Sequence, residues 1–252
     1  MKNYLIVSCA LLAPAFSAAA NAAPVTYNWT GAYAGVNAGA AFSNFNPKTT
    51  VGPFTYFADS SAASIDANGS PHISGNGFVG GAQIGYNYQA GHVVYGIQAD
   101  FDALDTSASN TTTKVYPDFS PTTYTIHQSV KTTSLFTARP RIGWVQGNTM
   151  VYVTGGLADA QIKYDSSFTD TFDSVTGNSS KSDSKLGSVF GVGAEFAVAK
   201  SYSIDAEYLY ASFGRISTSG ALNIPGDEGS ATLNHSTNLN SSIVRLSLNF
   251  KF

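Results

Sequence analysis

Along much of this chain, hydrophobic residues recur at every second position, most clearly in Ser242 to Phe252. There Val244, Leu246, Leu248, Phe250 and Phe252 fall on one side, and Arg245, Ser247, Asn249 and Lys251 on the other. A period of two is that of a β-strand. The same alternation predicts further strands. Tyr33 to Phe45 sets Ala34, Val36, Ala38, Ala40 and Phe42 against Gly35, Asn37 and Gly39; Gly77 to Tyr88 sets Phe78, Ala82, Ile84, Tyr86 and Tyr88 against Gln83 and Asn87. Val93 to Leu104 sets Val93, Tyr95, Ile97 and Phe101 against Gln98, Asp100 and Asp102; Thr132 to Val145 sets Phe136, Ala138, Ile142 and Trp144 against Arg139 and Arg141. In Leu186 to Ala199 the outlying Gly191, Gly193 and Glu195 oppose an apolar face, and in Tyr202 to Phe213 Ser203, Asp205 and Glu207 do so. Thr149 to Lys163 is extended, but Val151, Tyr152, Val153 and Leu157 occupy both parities and leave its facing open. None of these segments has the i, i+3, i+4, i+7 stripe of a helix.

The connections alternate in length. Gln89 to His92, Gln146 to Asn148 and the turn around Lys200 are short, whereas Asn46 to Asn76, Asp105 to Lys131, Tyr164 to Lys185 and Gly214 to Asn240 are long and rich in Ser, Thr, Asn and Pro. A β-sandwich has no reason to gather every long connection at one end, but a transmembrane barrel has short periplasmic turns and long extracellular loops. The expected fold is therefore all-β: a closed antiparallel up-and-down transmembrane barrel of about eight strands, its last strand pairing with its first. Pro140 lies mid-strand on the apolar face, where it demands a missing ladder bond or a bulge. Tyr86, Tyr88, Tyr95, Trp144, Tyr152 and Tyr202, with Phe250 and Phe252, collect toward the short-turn end as an interfacial aromatic girdle.

Composition agrees: 24 Gly, 14 Tyr and 16 Phe with only 12% charged residues. The amino end carries Lys2, an apolar run from Tyr4 to Leu12 and Ala20-Asn21-Ala22, which reads as a secretory signal over residues 1–22 followed by one barrel domain over 23–252. Cys9, the only cysteine, falls within that signal, so neither a disulfide nor a thiolate metal site is expected. Without Lys2, the 13 Lys and Arg become 12 against 16 Asp and Glu, a formal charge of −4 that argues against a nucleic-acid partner.

The residues Trp29-Thr30-Gly31-Ala32-Tyr33, Gly80-Gly81-Ala82-Gln83-Ile84-Gly85-Tyr86-Asn87, Arg141-Ile142-Gly143-Trp144, Tyr152-Val153-Thr154-Gly155-Gly156-Leu157, Gly191-Val192-Gly193-Ala194-Glu195-Phe196, Glu207-Tyr208-Leu209-Tyr210 and the final strand stand in an order that resembles the small alphaproteobacterial porin-family barrels, the outer-membrane immunogenic proteins related to the OmpA-like transmembrane fold. The resemblance covers nearly the whole chain after residue 22 and leaves out the loops; Pro140 and Asp159 depart from it. It implies residence in the outer membrane of a Gram-negative envelope, contact with outer-membrane lipid, assembly by the barrel-assembly machinery, which would read Phe250 and Phe252, and loops open to antibodies or a host surface. It does not fix one activity, since such proteins are described as structural, immunogenic, porin-like or haem-binding.

Gln83, Gln98, Asp100, Arg139, Arg141, Glu195, Asp205, Glu207 and Arg245 fall on the inward parity at similar height and are expected to form a charged lumen network, because an unpaired buried charge costs several kcal/mol. An eight-stranded barrel has an interior that side chains fill. A plugged, non-enzymatic envelope barrel is the expected function, with a small-solute porin or a haem-binding surface protein as alternatives. For haem, His72, His92, His127 and His235 with Tyr56, Tyr116 or Tyr124 offer ligand types but no ligand spacing, and no cofactor or metal is expected. His127-Gln128-Ser129 is similar to the H-x-S of lipid-modifying barrel enzymes, but Val130 follows it and no acidic residue stands close downstream.

Overall fold

The computed structural model describes residues 27–52, 56–224 and 231–252; the expected signal segment, with Cys9 and its cleavage site, lies outside the described residues. The elements are β1 (Gly31–Phe45), β2 (Lys48–Val51), α1 (Asp59–Asn68), β3 (Ile73–Ala90), β4 (Val93–Val115), β5 (Thr123–Gln146), β6 (Thr149–Asp170), β7 (Thr176–Ala199), β8 (Tyr202–Asn223) and β9 (Thr232–Lys251). Each long strand runs antiparallel to the next, and β9 returns to β1 from Tyr33↔Lys251 to Phe45↔Leu239. That pairing closes a ring of eight long strands, while β2 extends the rim beside β9.

In the lower part of the wall, toward the short turns, apolar side chains point out. Ile84, Ile97, Phe101, Phe190 and Leu246 are all more than half exposed, at 66%, 66%, 63%, 63% and 61%. The outward positions of β4 from Val93 to Ala103 span a band about 25 Å tall once strand tilt is included. β6 belongs to the same scheme: Val151, Val153 and Leu157 face out, and Tyr152 is the odd parity, buried at 4% exposure. Tyr152 is therefore not part of the girdle. Tyr86, Tyr88, Tyr95, Trp144 and Tyr202 do face outward at the short-turn end, and Phe250 stacks edge-on against both Tyr202 and Phe252 at 5.2 Å.

Above the band the facing inverts. On β4 the outward positions become Asp105, Ser107 and Ser109, and on β6 Asp159, Gln161, Lys163 and Asp165, while Tyr124, Ile126, Ile162, Tyr164 and Phe168 turn inward and are buried. This corrects the expectation of long loops. Asp105–Lys131, Tyr164–Lys185 and Gly214–Asn240 are mostly strand, rich in Thr, whose branched side chain suits a sheet. A template of apolar-out, polar-in could not recognise them because here water lies outside the wall and the core within. In 46–76, a run of polar residues includes α1, which seats Ile65 at 0% exposure in the mouth and is held by Thr49 N donating to Gly69 O and Val51 N to Asp66 Oδ1.

Three of the irregular rungs, at Ala103/Thr106, Thr132/Ser134 and Phe213/Arg215, lie near the level of that inversion. Pro140 causes no bulge. The β5–β6 register is the same on either side of it, Arg141↔Thr154 and Ala138↔Leu157, with the rung across Arg139 and Pro140 simply missing. Thr154 Oγ1 donates to the Pro140 carbonyl at 2.9 Å.

The wall has one open stretch among the described residues. Between Gly177↔Leu222 and Gly187↔Phe213 the β7–β8 ladder lapses. The inward parity of β7 there reads Ser179, Lys181, Asp183 and Lys185, side chains that do not pack on an apolar core, and only the Ser179–Thr218 hydroxyl contact at 3.0 Å and Lys181 Nζ donating to Ser217 O at 3.3 Å bridge the seam. Amides whose ladder bonds would cross this seam should exchange with deuterium much faster than those of the β4–β5 hairpin at the same height, such as Thr111 and Gln128, when followed residue by residue by hydrogen exchange.

His235 lies in β9 and is buried, its Nδ1 2.9 Å from Thr49 Oγ1. It is not a solvated loop histidine. Burial lowers its pKa from 6.5 to about 4, so unfolding takes up a proton at any pH between these values. Stability is full above about 6.5 and falls as pH drops toward 4, by on the order of 3 kcal/mol from this group. The loss should show as a fall in unfolding midpoint across that window, and His235→Gln should flatten it.

Candidate functional site

The inside of the barrel is stacked in layers. At the short-turn end Tyr27, Trp29, Val94, Val145, Met150, Tyr152 and Ala197 form an apolar floor. A charged layer lies over it. Next comes the apolar cluster around Val79, Leu104, Leu135, Val189, Leu209 and Ile243. Higher up are the buried polar side chains of Thr49, Gln128, Ser166 and His235, and a final apolar cluster joins Ile65 of α1 to Tyr116, Tyr124, Ile126, Phe168 and Leu233.

All nine expected network residues sit inside and are buried. Strand alternation puts Asp100, Arg139, Glu207 and Arg245 on inward positions of four different strands, and they meet at one centre. Arg139 donates through Nη2 to Asp100 Oδ1 and through Nη1 to Glu207 Oε1, each at 2.8 Å. Arg245 donates through Nη1 to Asp102 Oδ2 at 2.7 Å, through Nε to Glu207 Oε2 at 2.9 Å and through Nη2 to Asp100. Thr137 donates to Asp100 and receives Arg139 Nε at 2.9 Å. Each carboxylate thus serves two guanidinium groups or one guanidinium and a neutral donor, an arrangement that supports buried ions because lone pairs and protons are both used.

A second centre forms one layer nearer the floor. Arg141 lies 3.1 Å from Glu195 Oε2 and donates through Nε to Asn87 Oδ1 at 3.0 Å. Its guanidinium stands between the Tyr33 and Tyr152 rings, 4.7 and 5.1 Å from their centroids. Tyr152 Oη donates to Asp205 Oδ2 at 2.9 Å and lies 3.1 Å from Glu207 Oε1, tying the two centres together. Gln83 Nε2 donates to Asn249 Oδ1 at 2.7 Å, Asn249 Nδ2 to Glu195 Oε1 at 3.0 Å, and Tyr33 Oη to Gln98 Oε1 at 2.7 Å. Two glycines make this possible. A Cβ on Gly85 would lie 2.4 Å from the Tyr33 ring, and one on Gly193 2.4 Å from the Tyr152 ring.

Sequence reasoning left out Asp102, Asn37, Tyr33 and Tyr152, although Asn37 and Asp102 carry the inward parity; Asn37 Nδ2 donates to Asp102 Oδ1 at 2.8 Å. The inward glycines, each facing an aromatic, were the available signal for the two tyrosines.

The whole-chain comparison settles the family. A family model described as the outer membrane protein beta-barrel domain matches residues 8–252. The chain belongs to this family of outer-membrane barrels. It is 31% identical over 265 residues to the 31 kDa outer-membrane immunogenic proteins of Brucella melitensis biotype 1 and Brucella suis biovar 1, with all of each chain covered. Among solved structures, the barrel is similar to the outer membrane protein OprG of Pseudomonas aeruginosa, at 11% identity and a TM-score of 0.48 over 90% of this chain and 98% of that one. It also matches Neisserial surface protein A, at 13% identity and a TM-score of 0.38 over 88% and 99%.

In this outer-membrane barrel the short turns are periplasmic and the long hairpins extracellular. The residues considered for haem do not converge. His72 and His127 lie on the outer wall, bonded to Asn46 and Thr111, and His92 stacks on Trp144 at the periplasmic end. Tyr56 and Tyr116 donate to Asp170 at 3.1 and 3.0 Å, and burial, reinforced by that carboxylate, pushes both phenols well up, which disfavours tyrosinate ligation. His127 and Ser129 share the outward parity of β5, with Gln128 turned inward between them, and the His127 imidazole is engaged by Thr111 at 2.8 Å.

Replacing Arg245 by Ala leaves Asp102 without its guanidinium and Asp100 and Glu207 sharing Arg139 alone, and should cost about 3–5 kcal/mol of unfolding free energy. Lys131→Ala, which breaks only the exposed pair with Asp105 at 3.2 Å, should cost less than ~1 kcal/mol. Urea unfolding of the two variants in the same lipid, read by heat-modifiable gel migration, checks the contrast.

Proposed function

We propose that this barrel is a non-enzymatic component of the envelope, sealed along its axis and presenting its extracellular half as an interaction surface. The observation that carries the reading is the unbroken filling of the interior, from Trp29 at 1% exposure on the periplasmic floor, through the Arg139–Glu207–Arg245 centre, to Ile65 at 0% in the mouth. A side chain occupies every layer through which a solute would pass. The nine-residue network then acts as a structural plug that holds the ring together from inside. Phe250 and Phe252, exposed on the outward face at the end of β9, suit a signal read by the assembly machinery before the strand pairs with β1.

The immunogenic naming of the Brucella relatives supports accessible extracellular hairpins, and the inverted wall gives them shape: a stiff, water-facing rim rather than loose coils. Antibodies or a host surface would meet polar outward residues on folded strands. A porin reading requires the Arg139–Asp100 and Arg141–Glu195 layers to part. The purified protein should show negligible steady conductance in a planar bilayer. Reproducible large openings whose ion selectivity changes on Glu207→Gln would replace this reading with the porin.

A further inference from the structure

On the outer wall, where β1, β2, β8 and β9 meet, a cleft of about 300 Å³ is lined by Asn46, Lys48, His72, Arg215, Ser236 and Asn238, among others, with no acidic residue lining it among the described residues. Lys48 and Arg215 project outward on either side of β9, at the rungs Lys48↔Ser236 and Arg215↔Asn238. Both are exposed, and neither has a carboxylate within 4 Å among the described residues. Four other cations of the extracellular half stand beside a carboxylate, Lys131 with Asp105 at 3.2 Å, Lys163 with Asp165 at 3.3 Å, and Lys181 and Lys185 with Asp183 at 3.8 and 3.1 Å, while Lys114, like Lys48 and Arg215, has none among the described residues but does not line this cleft. Two cations sharing a concave surface that carries no carboxylate among the described residues repel one another, and an anion between them relieves that repulsion. Their convergence on one cleft, rather than exposure alone, is what sets them apart from a solvated face.

Position says which ligand. The cleft opens sideways from the wall, not along the barrel axis, and sits above the last outward apolar residues of its strands, Phe42, Tyr208 and Tyr210. Four to six strand steps separate them from Arg215 and Lys48, a height of roughly 10–15 Å after tilt. A phospholipid headgroup layer adds only about 5–8 Å to each side of the hydrocarbon. An anion at this height is therefore carried on a larger headgroup. The remaining polar lining, hydroxyls of Ser70 and Ser236 with amides of Asn46 and Asn238, is what sugar hydroxyls pair with. We propose that this cleft binds a phosphate group on the saccharide headgroup of an outer-leaflet glycolipid, with Arg215 and Lys48 as its charge-assisted donors and the tyrosines below against its acyl chains. The site is separate from the lumen and does not depend on whether the barrel conducts.

The test uses the full chain in phosphatidylcholine nanodiscs, with bound lipid read by native mass spectrometry. A bis-phosphorylated glucosamine-disaccharide lipid should be retained over its dephosphorylated form. The Lys48→Ala/Arg215→Ala variant should lose at least about tenfold in that retention, as expected for two charge-assisted contacts. Both positions are exposed, and heat-modifiable migration confirms that the variant is folded. Lys131→Ala/Lys163→Ala, equal in charge removed, should retain the lipid. Equal retention of the dephosphorylated lipid, an equal loss in the control variant, or displacement by phosphatidylglycerol or inorganic phosphate at the same concentration would each overturn the proposal, the last two by making the cleft a general anion site.

Discussion

Everything in this molecule depends on closing the backbone hydrogen-bond ring at β1–β9. A strand in hydrocarbon has no water to satisfy a free edge, so the sheet must meet itself. Closure at eight strands fixes a narrow interior. The wall's outward positions then belong to lipid and its inward positions to a space too small to hydrate freely, and each polar side chain placed there has to find a partner of its own. The Arg139, Arg141 and Arg245 centres are the consequence: guanidinium groups, with five donors each, reach several strands at once and link carboxylates from β4, β7 and β8.

This explains why large and absent side chains alternate in the lower barrel. Three arginines and two tyrosines could not lie across the lumen unless the facing positions were empty, and Gly85 and Gly193 supply that space. The floor built on Trp29 and the mouth filled by α1 then separate the network from bulk water at both ends, which strengthens its electrostatics.

The lipid-facing half was legible in the sequence because its period of two, its aromatic ends and its short turns all follow from one solvent arrangement. The nine inward polar residues could be picked out by parity alone. Tyr152 escaped because an aromatic next to Val151 and Val153 looks like a girdle residue, and only its place opposite Gly193 distinguishes it. The extracellular half was not legible as strand, since Thr123 to Gln128 or Ser236 to Asn240 carry polar residues where the lipid-facing template requires apolar ones. α1 was missed for a different reason: Asp59–Asn68 offers little beyond Ile65 and Ala62 as an apolar face, so tertiary docking in the mouth, not amphipathic pattern, holds it as a helix.

The inversion of facing at the membrane edge also bears on how faithfully the strands can be paired. In a wall bathed by one solvent, a slip of one residue turns one buried face outward. Here the same slip on β5 would drive Arg139 and Arg141 into lipid and, on the same continuous strand, expose Tyr124 and Ile126 to water. The two halves penalise the error independently and in opposite chemical terms. A long strand crossing both media therefore carries its own proofreading of register, and the irregular rungs near the boundary are where the wall can adjust one half without losing the alignment of the other.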